Sequence, residues 1–157
     1  MPTIQLKAMT RKLCHELYKH WTNDASIYMD MHLFQPYVYD EAAVNRYFDM
    51  KGQDASRRLF AIMLGDKVIG ELQLKQIDHD KKECSLSIHM QNDAMKGKGY
   101  GTQAERLAVK TAFDELGMAA VNADTIRKNT RSQHVLGKVG FRFVREDETF
   151  KYYRIER

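Results

Sequence analysis

The chain has 157 residues, of which 43% are hydrophobic and 29% are charged, and we expect residues 1–157 to form one globular domain. No apolar run approaches the roughly 20 residues of a membrane span, and the polar start does not resemble a signal peptide, so we expect a cytoplasmic protein with no membrane partner. Two cysteines without metal-ligand spacing argue against a metal site.

The charge is unevenly distributed along the chain. The net charge of +4 divides into −1 for residues 1–94 and +5 for residues 95–157. A basic half attracts a ligand that carries phosphate, although a solvated surface of mixed charge explains the same numbers. Basic residues are not interleaved with aromatic ones in a stripe, so we do not expect nucleic acid as a partner.

The first part of the chain predicts one strand, two helices and three further strands. Alternation of apolar and polar residues indicates a strand at Ile4–Ala8, and leucines four residues apart indicate a helix at about Arg11–Trp21. Asp40 is a suitable N-cap for a second helix from Glu41. Three strands follow, the first two joined by a tight turn at Gly65: Leu59–Leu64, Val68–Leu74 and Cys84–Met90.

The second part predicts two helices and three strands. Apolar residues with a helical period run from Thr102 to Leu116, where Gly117 ends the helix. A buried strand, a short helix and a closing pair of strands then follow, at Ala119–Ile126, Ser132–Val139, Phe141–Arg145 and Phe150–Ile155. The resulting order, β-α-α-β-β-β-α-β-α-β-β, predicts a mixed α/β (α+β) sheet in one layered domain.

A glycine-rich loop, Lys96-Gly97-Lys98-Gly99-Tyr100-Gly101, leads directly into the helix that begins at Thr102. Glycines let a ligand approach the backbone, and the first N–H groups of a helix attract anions, so this loop is suited to phosphate. A tight connection without a ligand is the alternative. The spacing matches neither GxxxxGK[ST] nor GxGxxG, which disfavours a nucleotide triphosphatase or a Rossmann dinucleotide site.

This loop resembles the pyrophosphate-binding motif of the GNAT acetyltransferase superfamily, (Q/R)-x-x-G-x-(G/A). The following Thr102-Gln103-Ala104, and the later Asn129-Thr130-Arg131-Ser132 and Gly137-Lys138-Val139-Gly140-Phe141, are similar to the branch that contains the ribosomal-protein N-terminal acetyltransferases. Val68-Ile69-Gly70-Glu71 also resembles the third strand of that family. The resemblance therefore extends along the whole chain.

The resemblance implies a GNAT-like single domain, with a central twisted mixed sheet of about six to seven strands and about four flanking helices. It also implies an acetyl-CoA-dependent N-acetyltransferase that acts by direct attack of an amine on the thioester, with acetyl-CoA as co-substrate and no metal. The residues implied to contact acetyl-CoA are Ile88, His89, Met90, Lys96, Gly97, Lys98, Gly99, Tyr100, Gly101, Thr102, Asn129, Ser132 and Lys138.

Three departures from the family pattern are present. Lys96 replaces the usual aromatic residue, and Gln103 replaces the usual Glu. Leu136 stands where a tyrosine often serves as the general acid. The missing tyrosine keeps a second interpretation open, in which the chain is a non-catalytic acyl-CoA-binding or regulatory module of the same fold.

The catalytic candidates are Glu71, His89 and Ser132. Glu71 is the first choice for the base that removes a proton from the acceptor, ahead of Glu83 and His89, although an exposed strand carboxylate is an equal alternative. The resemblance assigns Ser132 to protonation of the thiolate, but it is also well placed as a helix N-cap. The backbone N–H of His89 or Met90 is expected to stabilise the oxyanion.

The acceptor is expected to be a primary amine, either a polyamine, an amino sugar or a peptide N-terminus. This prediction depends on acidic and aromatic side chains between the first two helices and in the last hairpin, which suit a cation but equally suit solvated loops. The residues concerned are Asp24, Tyr28, Asp30, Phe34, Tyr37, Tyr39, Asp40, Glu41, Glu146, Asp147 and Glu148. Tyr152 and Tyr153 are expected to fill a strand pair, with a place in the acceptor tunnel as the alternative. A homodimer through exposed edge strands is left open.

Overall fold

The structure, a computed structural model, describes residues 3–23 and 35–157. Its strands are β1 (Ile4–Ala8), β2 (Arg58–Leu64), β3 (Lys67–Asp78), β4 (Glu83–Met90), β5 (Ala120–Ile126), β6 (Arg142–Glu146) and β7 (Phe150–Glu156). Its helices are α1 (Arg11–Lys19), α2 (Glu41–Gly52), α3 (Tyr100–Asp114) and α4 (Thr130–Val139), and a short 3₁₀ turn covers Asp93–Met95.

The seven strands form one sheet in the order β1-β2-β3-β4-β5-β7-β6. Every neighbouring pair is antiparallel except β4 and β5, which are parallel. This parallel pair is joined only from Glu83 to Ser85 on β4, whereas β4 continues to Met90. The two central strands therefore separate after Ser85 and leave an opening in the middle of the sheet.

Two apolar layers cover the two faces of the sheet. On one face Leu72, Leu74 and Val121 pack with Ala104 and Ala108 of α3. On the other face α1 and α2 cover the sheet through a second cluster, made of Met9, Cys14, Leu17, Val44, Ala61, Met63 and Val68. Both cysteines, Cys14 and Cys84, are buried free thiols within these layers.

Three of the helices begin at a side-chain cap. The Thr10 hydroxyl accepts from Leu13 N (3.1 Å), and the Asp40 carboxylate accepts from Ala42 N (3.0 Å), as expected for Asp40. For α4 the cap is Asn129, whose Oδ1 accepts from Ser132 N (3.1 Å). The alternative that Ser132 is the N-cap is therefore wrong, because α4 begins two residues earlier and Ser132 lies in its first turn.

The predicted fold is confirmed in its class and in its order of elements. The sheet has seven strands and four helices flank it, as expected. The differences are at the ends of elements, since α1 ends at Lys19 before Trp21 and α3 begins at Tyr100 before Thr102. The strand predicted at Val68–Leu74 also continues to Asp78. Within the described ranges, no helix is long and apolar enough to cross a membrane.

Candidate functional site

The start of α3 has a backbone geometry suited to an anion. Gly97 (φ 73°) and Gly99 (φ 81°) adopt the left-handed conformation, and Gly99 is the N-cap residue, which has no side chain to occupy the helix start. The backbone N–H of Gln103 bonds to Gly99 O (3.1 Å), so the N–H groups before it have no acceptor within the helix. These N–H groups and the helix dipole favour a phosphate.

A cleft of about 690 Å³ lies beside this helix start. We call it the donor cleft, and β4, α3 and α4 form its walls. Eleven of the residues implied to contact acetyl-CoA line it, namely Ile88, His89, Met90, Lys96, Gly97, Gly99, Gly101, Thr102, Asn129, Ser132 and Lys138. The structure therefore brings together residues from four separate parts of the chain.

Two residues implied to contact the cofactor do not line the donor cleft. Lys98 is exposed, and the Tyr100 side chain is 7% exposed and packs in the core. Their backbone groups belong to the loop, but their side chains are directed elsewhere. The sequence analysis also missed ten lining residues, which are Trp21, Thr22, Asn23, Met95, Glu105, Lys128, Thr130, Arg131, His134 and Val135.

The donor cleft is basic. Among the described residues its lining includes the cations Lys96, Lys128, Arg131 and Lys138, and a single carboxyl group, Glu105. All four cations belong to residues 95–157, the half with the net charge of +5. The uncapped helix start, the four cations and the volume together fit a long ligand with several phosphates.

A second cavity, of about 480 Å³, lies on the opposite face of the sheet beneath α1 and α2. We call it the acceptor cavity. Glu71, Gln73 and Lys75 of β3 and Ser87 of β4 line it, together with residues of the helices and loops. Trp21, Asn23 and His89 line both cavities, so the donor cleft and the acceptor cavity meet at the end of β4.

Glu71 is a buried carboxylate held by tyrosines. It is 3% exposed, and it accepts hydrogen bonds from the Tyr18 hydroxyl and from the Tyr47 hydroxyl (2.8 Å to Oε2). Gln73 Nε2 donates to the Tyr47 oxygen (3.1 Å), and Arg57 donates to Gln73. The alternative that Glu71 is an exposed strand carboxylate is wrong, because α1 and α2 cover it.

Both tyrosines are hydrogen-bond donors that remain neutral. Burial, followed by the charge of Glu71, raises the pKa of Tyr18 and of Tyr47 above the ordinary value of 10.0. Their O–H groups therefore stay protonated and available to Glu71 at neutral pH. Neither tyrosine was identified from the sequence, since 53 and 24 residues separate them from Glu71.

His89 faces Glu71 directly across the β3–β4 ladder, where the two residues are partners in register. The imidazole keeps contact with solvent, but the walls of the two cavities desolvate it and lower the pKa of His89 below its usual 6.5. The neutral form, which can accept a proton, therefore dominates at neutral pH.

The two faces of the β4 backbone differ near the opening. Gln91 N donates to Ile69 O (2.8 Å), and because N–H groups alternate along an antiparallel strand, the N–H of His89 also points to β3. The N–H of Met90 then points away from β3, toward the opening between β4 and β5. Gly70 permits the close pairing, because a Cβ there would lie 2.7 Å from His89 O.

Several other candidates lie away from the meeting point. Glu83 is at the far end of β4, where Asn122 Nδ2 (3.1 Å) and Arg154 bind it, and the hydrogen bond from Arg154 lowers the pKa of Glu83. Leu136 is buried in the core. Tyr152 donates to Asp147 (2.8 Å) within the last hairpin and lines neither cavity.

Two of the acidic residues expected to attract the acceptor have structural roles. Asp40 caps α2, and Asp147 accepts from Thr149 N (2.9 Å) and Phe150 N (2.7 Å) in the last turn. Of the residues named for this role, only Tyr37 lines the acceptor cavity. Asp24, Tyr28, Asp30 and Phe34 lie outside the described residues.

No group of three or more potential metal ligands occurs in residues 3–23 and 35–157. The two buried thiols are also unsuited to nucleophilic attack, because burial raises the pKa of Cys14 to about 12 and that of Cys84 to about 11. The titratable side chains that line the acceptor cavity include Glu71, His89, Tyr18 and Tyr47.

The sequence profile described as "Acetyltransferase (GNAT) domain" matches residues 4–142. The chain is 36% identical to the probable N-acetyltransferase YjcK of Bacillus subtilis over 48% of its own length and 42% of that protein. It is 26% identical to spermidine N(1)-acetyltransferase of Escherichia coli over 60% of its length and 50% of that protein. The chain thus matches about half the length of these curated relatives.

The fold is also that of a solved acetyltransferase. Spermidine N-acetyltransferase from Vibrio cholerae, in complex with CoA and spermine, superposes with a TM-score of 0.80 over 98% of this chain and 95% of the other, at 17% identity. A dodecameric structure of the same enzyme gives a TM-score of 0.74. The narrower resemblance to the ribosomal-protein branch is not confirmed, because these relatives have other names.

Proposed function

The chain belongs to the GNAT acetyltransferase family, and on this premise we propose that it transfers the acetyl group of acetyl-CoA to a primary amine by direct attack on the thioester. One observation carries the proposal: the donor cleft and the acceptor cavity meet at His89, where β4 separates from β5. The predicted enzyme class and the predicted co-substrate are confirmed at the level of the family.

The donor cleft would hold acetyl-CoA. The N–H groups from Gly97 to Thr102 and the cations around them suit its phosphates, and the strand Ile88–Met90 offers polar backbone groups to the pantetheine amides. Ser132 lines the same cleft and lies in the first turn of α4. It is our candidate donor of the proton to the thiolate, since Leu136 has no acidic group.

The oxyanion needs a donor fixed in advance at the opening of the sheet. Of the two N–H groups predicted from the sequence, that of His89 points to β3, so we assign this role to the N–H of Met90. A fixed backbone donor of this kind lowers the barrier without a change of side-chain position, and the loss of one such donor costs about 10²–10³ in rate.

Two residues act on the acceptor ammonium. Glu71 is surrounded by hydroxyl donors and carries the negative charge that attracts an ammonium. His89 lies opposite it, is neutral at neutral pH, and belongs to both cavities, so it is the base we favour. The roles are thus divided, with Glu71 binding the ammonium and His89 removing its proton.

The acceptor cavity indicates the class of amine. Lys51, Arg57 and Lys75 line it together with Glu71, the one carboxylate among its described lining residues. Arg57 forms an ion pair with Asp54 (3.2 Å), so the excess positive charge lies on Lys51 and Lys75. These lysines repel a polyamine but attract an anionic group that is carried by the same molecule as the amine. Among the three acceptor classes left open by the sequence, we therefore favour an amino sugar with a phosphate or carboxylate group over a polyamine.

The proposal is tested by thiol release from acetyl-CoA with four acceptors: an amino-sugar phosphate, the uncharged amino sugar, spermidine and a short peptide. We expect the highest kcat/KM for the amino-sugar phosphate. The Lys75→Glu variant should lose this preference and gain activity toward spermidine, because it reverses one charge of the cavity. Saturable CoA binding without turnover of any acceptor would instead support the non-catalytic module.

A further inference from the structure

Glu105 is a buried acid that the proposed reaction does not use. It lies on α3, one turn after Gly101, and its side chain is 2% exposed. Its Oε1 has no hydrogen-bond partner among the described residues, although the residue lines the donor cleft. A buried oxygen atom without a hydrogen-bond partner destabilises the protein, and its position in the lining of a cleft indicates that a bound ligand supplies the partner.

The surroundings of Glu105 favour the neutral acid. Burial alone raises the pKa of Glu105 to about 8, so the group is mostly protonated at neutral pH. The titratable and charged groups that line the cleft around it are His89, Lys96, Lys128, Arg131, His134 and Lys138. Burial is the cause of the shift, and no charged group contributes to it.

We propose that Glu105 binds acetyl-CoA as a neutral carboxylic acid and donates its O–H group to an oxygen atom of that ligand. Acetyl-CoA carries oxygen acceptors on its pantetheine amides and its phosphates, and Glu105 lines the cleft one helical turn after the helix start that would bind the phosphates. An ionised Glu105 would repel the phosphates, and the protonated form supplies the donor that they require. The inference rests on the proposed function, because it takes acetyl-CoA as the occupant of the donor cleft.

Ionisation of Glu105 should therefore oppose binding. Because the bound state needs the proton and the free protein loses it near pH 8, the affinity for CoA should fall about tenfold between pH 7 and pH 9. At pH 8.5 binding should also take up most of one proton from the buffer. A side chain with only a packing role would show neither effect.

The test is calorimetry of the full chain with CoA at pH 7 and pH 9, in buffers of different ionisation enthalpy. Glu105→Gln keeps a donor of the same shape, so we expect near wild-type affinity at pH 7 and none of the additional loss at pH 9. Glu105→Leu removes the donor and should weaken binding at both values. The ratio of the CoA affinities of wild type and Glu105→Gln at each pH isolates the contribution of Glu105, because the two proteins share all other charged groups.

The outcomes separate this inference from the proposed function. Absence of CoA binding by all three proteins would overturn both. Tight CoA binding with the same pH dependence in wild type and Glu105→Gln would overturn the role of Glu105 and leave acetyl transfer in place. Denaturation curves of the three proteins at each pH establish that the binding differences occur in folded protein.

Discussion

Glu71 and His89 form one unit although they differ in their surroundings. Glu71 is buried and accepts hydrogen bonds from the hydroxyls of Tyr18 and Tyr47, whereas His89 keeps an accessible ring. The carboxylate is therefore held in place as an electrostatic anchor, and the accessible ring nitrogen can reach the proton of the acceptor. This difference is the physical reason for placing the base at His89.

The pH dependence of the reaction tests this division of roles. Protonation of His89 removes the base, and its pKa is below 6.5, so kcat/KM of the wild type should fall as the pH decreases below 6.5. His89→Gln should lose about 10²–10⁴ in kcat/KM at neutral pH, and the acidic limb due to this residue should be absent. The measurement is kcat/KM from pH 5 to pH 8.

His79→Gln is the matched control, because His79 is an exposed residue of the turn after β3 and lines neither cavity. It should retain both the rate and the acidic limb. A limb that persists unchanged in His89→Gln would assign the proton transfer to another group, with Glu71 as the first alternative.

At the scale of the secondary-structure elements, the left-handed glycine conformation at the start of α3 accompanies the proposed binding of phosphate. Gly97 has a positive φ, and a Cβ built on it meets no atom within 4 Å. Gly117, which follows α3 and lines neither cavity, also has a positive φ and no atom within 4 Å of a Cβ built on it. The two glycines thus have the same conformational demand in different surroundings.

Alanine substitutions at these two positions should separate strain from binding. Either Gly97→Ala or Gly117→Ala places an L-residue in the left-handed region and should reduce the free energy of unfolding by about 1–2 kcal/mol. Only Gly97→Ala should weaken CoA binding, by about tenfold, because its methyl group enters the space beside the helix-start N–H groups. Urea denaturation and calorimetry measure the two effects, and equal CoA affinity in both variants would exclude phosphate binding at this loop.

Local pattern predicted most of the elements and the donor side of the site. Alternation in Ile4–Ala8 and the cap at Asp40 depend on neighbouring residues alone, and both predictions are confirmed. The glycine loop lies in one continuous segment, so its place at a helix start was also predictable. The alternative that Ser132 caps α4 is wrong, because Asn129, three residues earlier, accepts the hydrogen bond from Ser132 N and is the N-cap.

Long-range contacts explain what the sequence did not reveal. Tyr18 reaches Glu71 across 53 residues, and the buried Gln91 side chain bonds to Leu17 O (2.9 Å) across 74 residues. Nothing in the local pattern of α1 distinguishes Tyr18 from an ordinary apolar-face residue. Glu105 was missed for a similar reason, since a glutamate in a helix is normally exposed.

At the scale of the whole molecule, the sheet ends in β6, an edge strand whose pairing with β7 has a register shift between Phe143 and Arg145. In the described part of the chain β6 pairs only with β7, and Phe143 and Val144 on it are 54% and 55% exposed. An edge strand offers unpaired backbone groups to another strand, and an antiparallel edge can pair with its own copy about a two-fold axis. We propose a second copy of this chain as the partner of β6.

The mass of the protein in solution, measured by light scattering over a range of concentrations, tests this association. The wild type should show a dimer that dissociates on dilution, and Val144→Lys should shift it to the monomer, because a lysine on the edge adds charge to both copies. Val38→Lys is the control, since Val38 is 81% exposed in the loop before α2 and should leave the dimer unchanged. A wild type that remains monomeric at the highest concentration, or equal effects of the two lysines, would contradict pairing through β6.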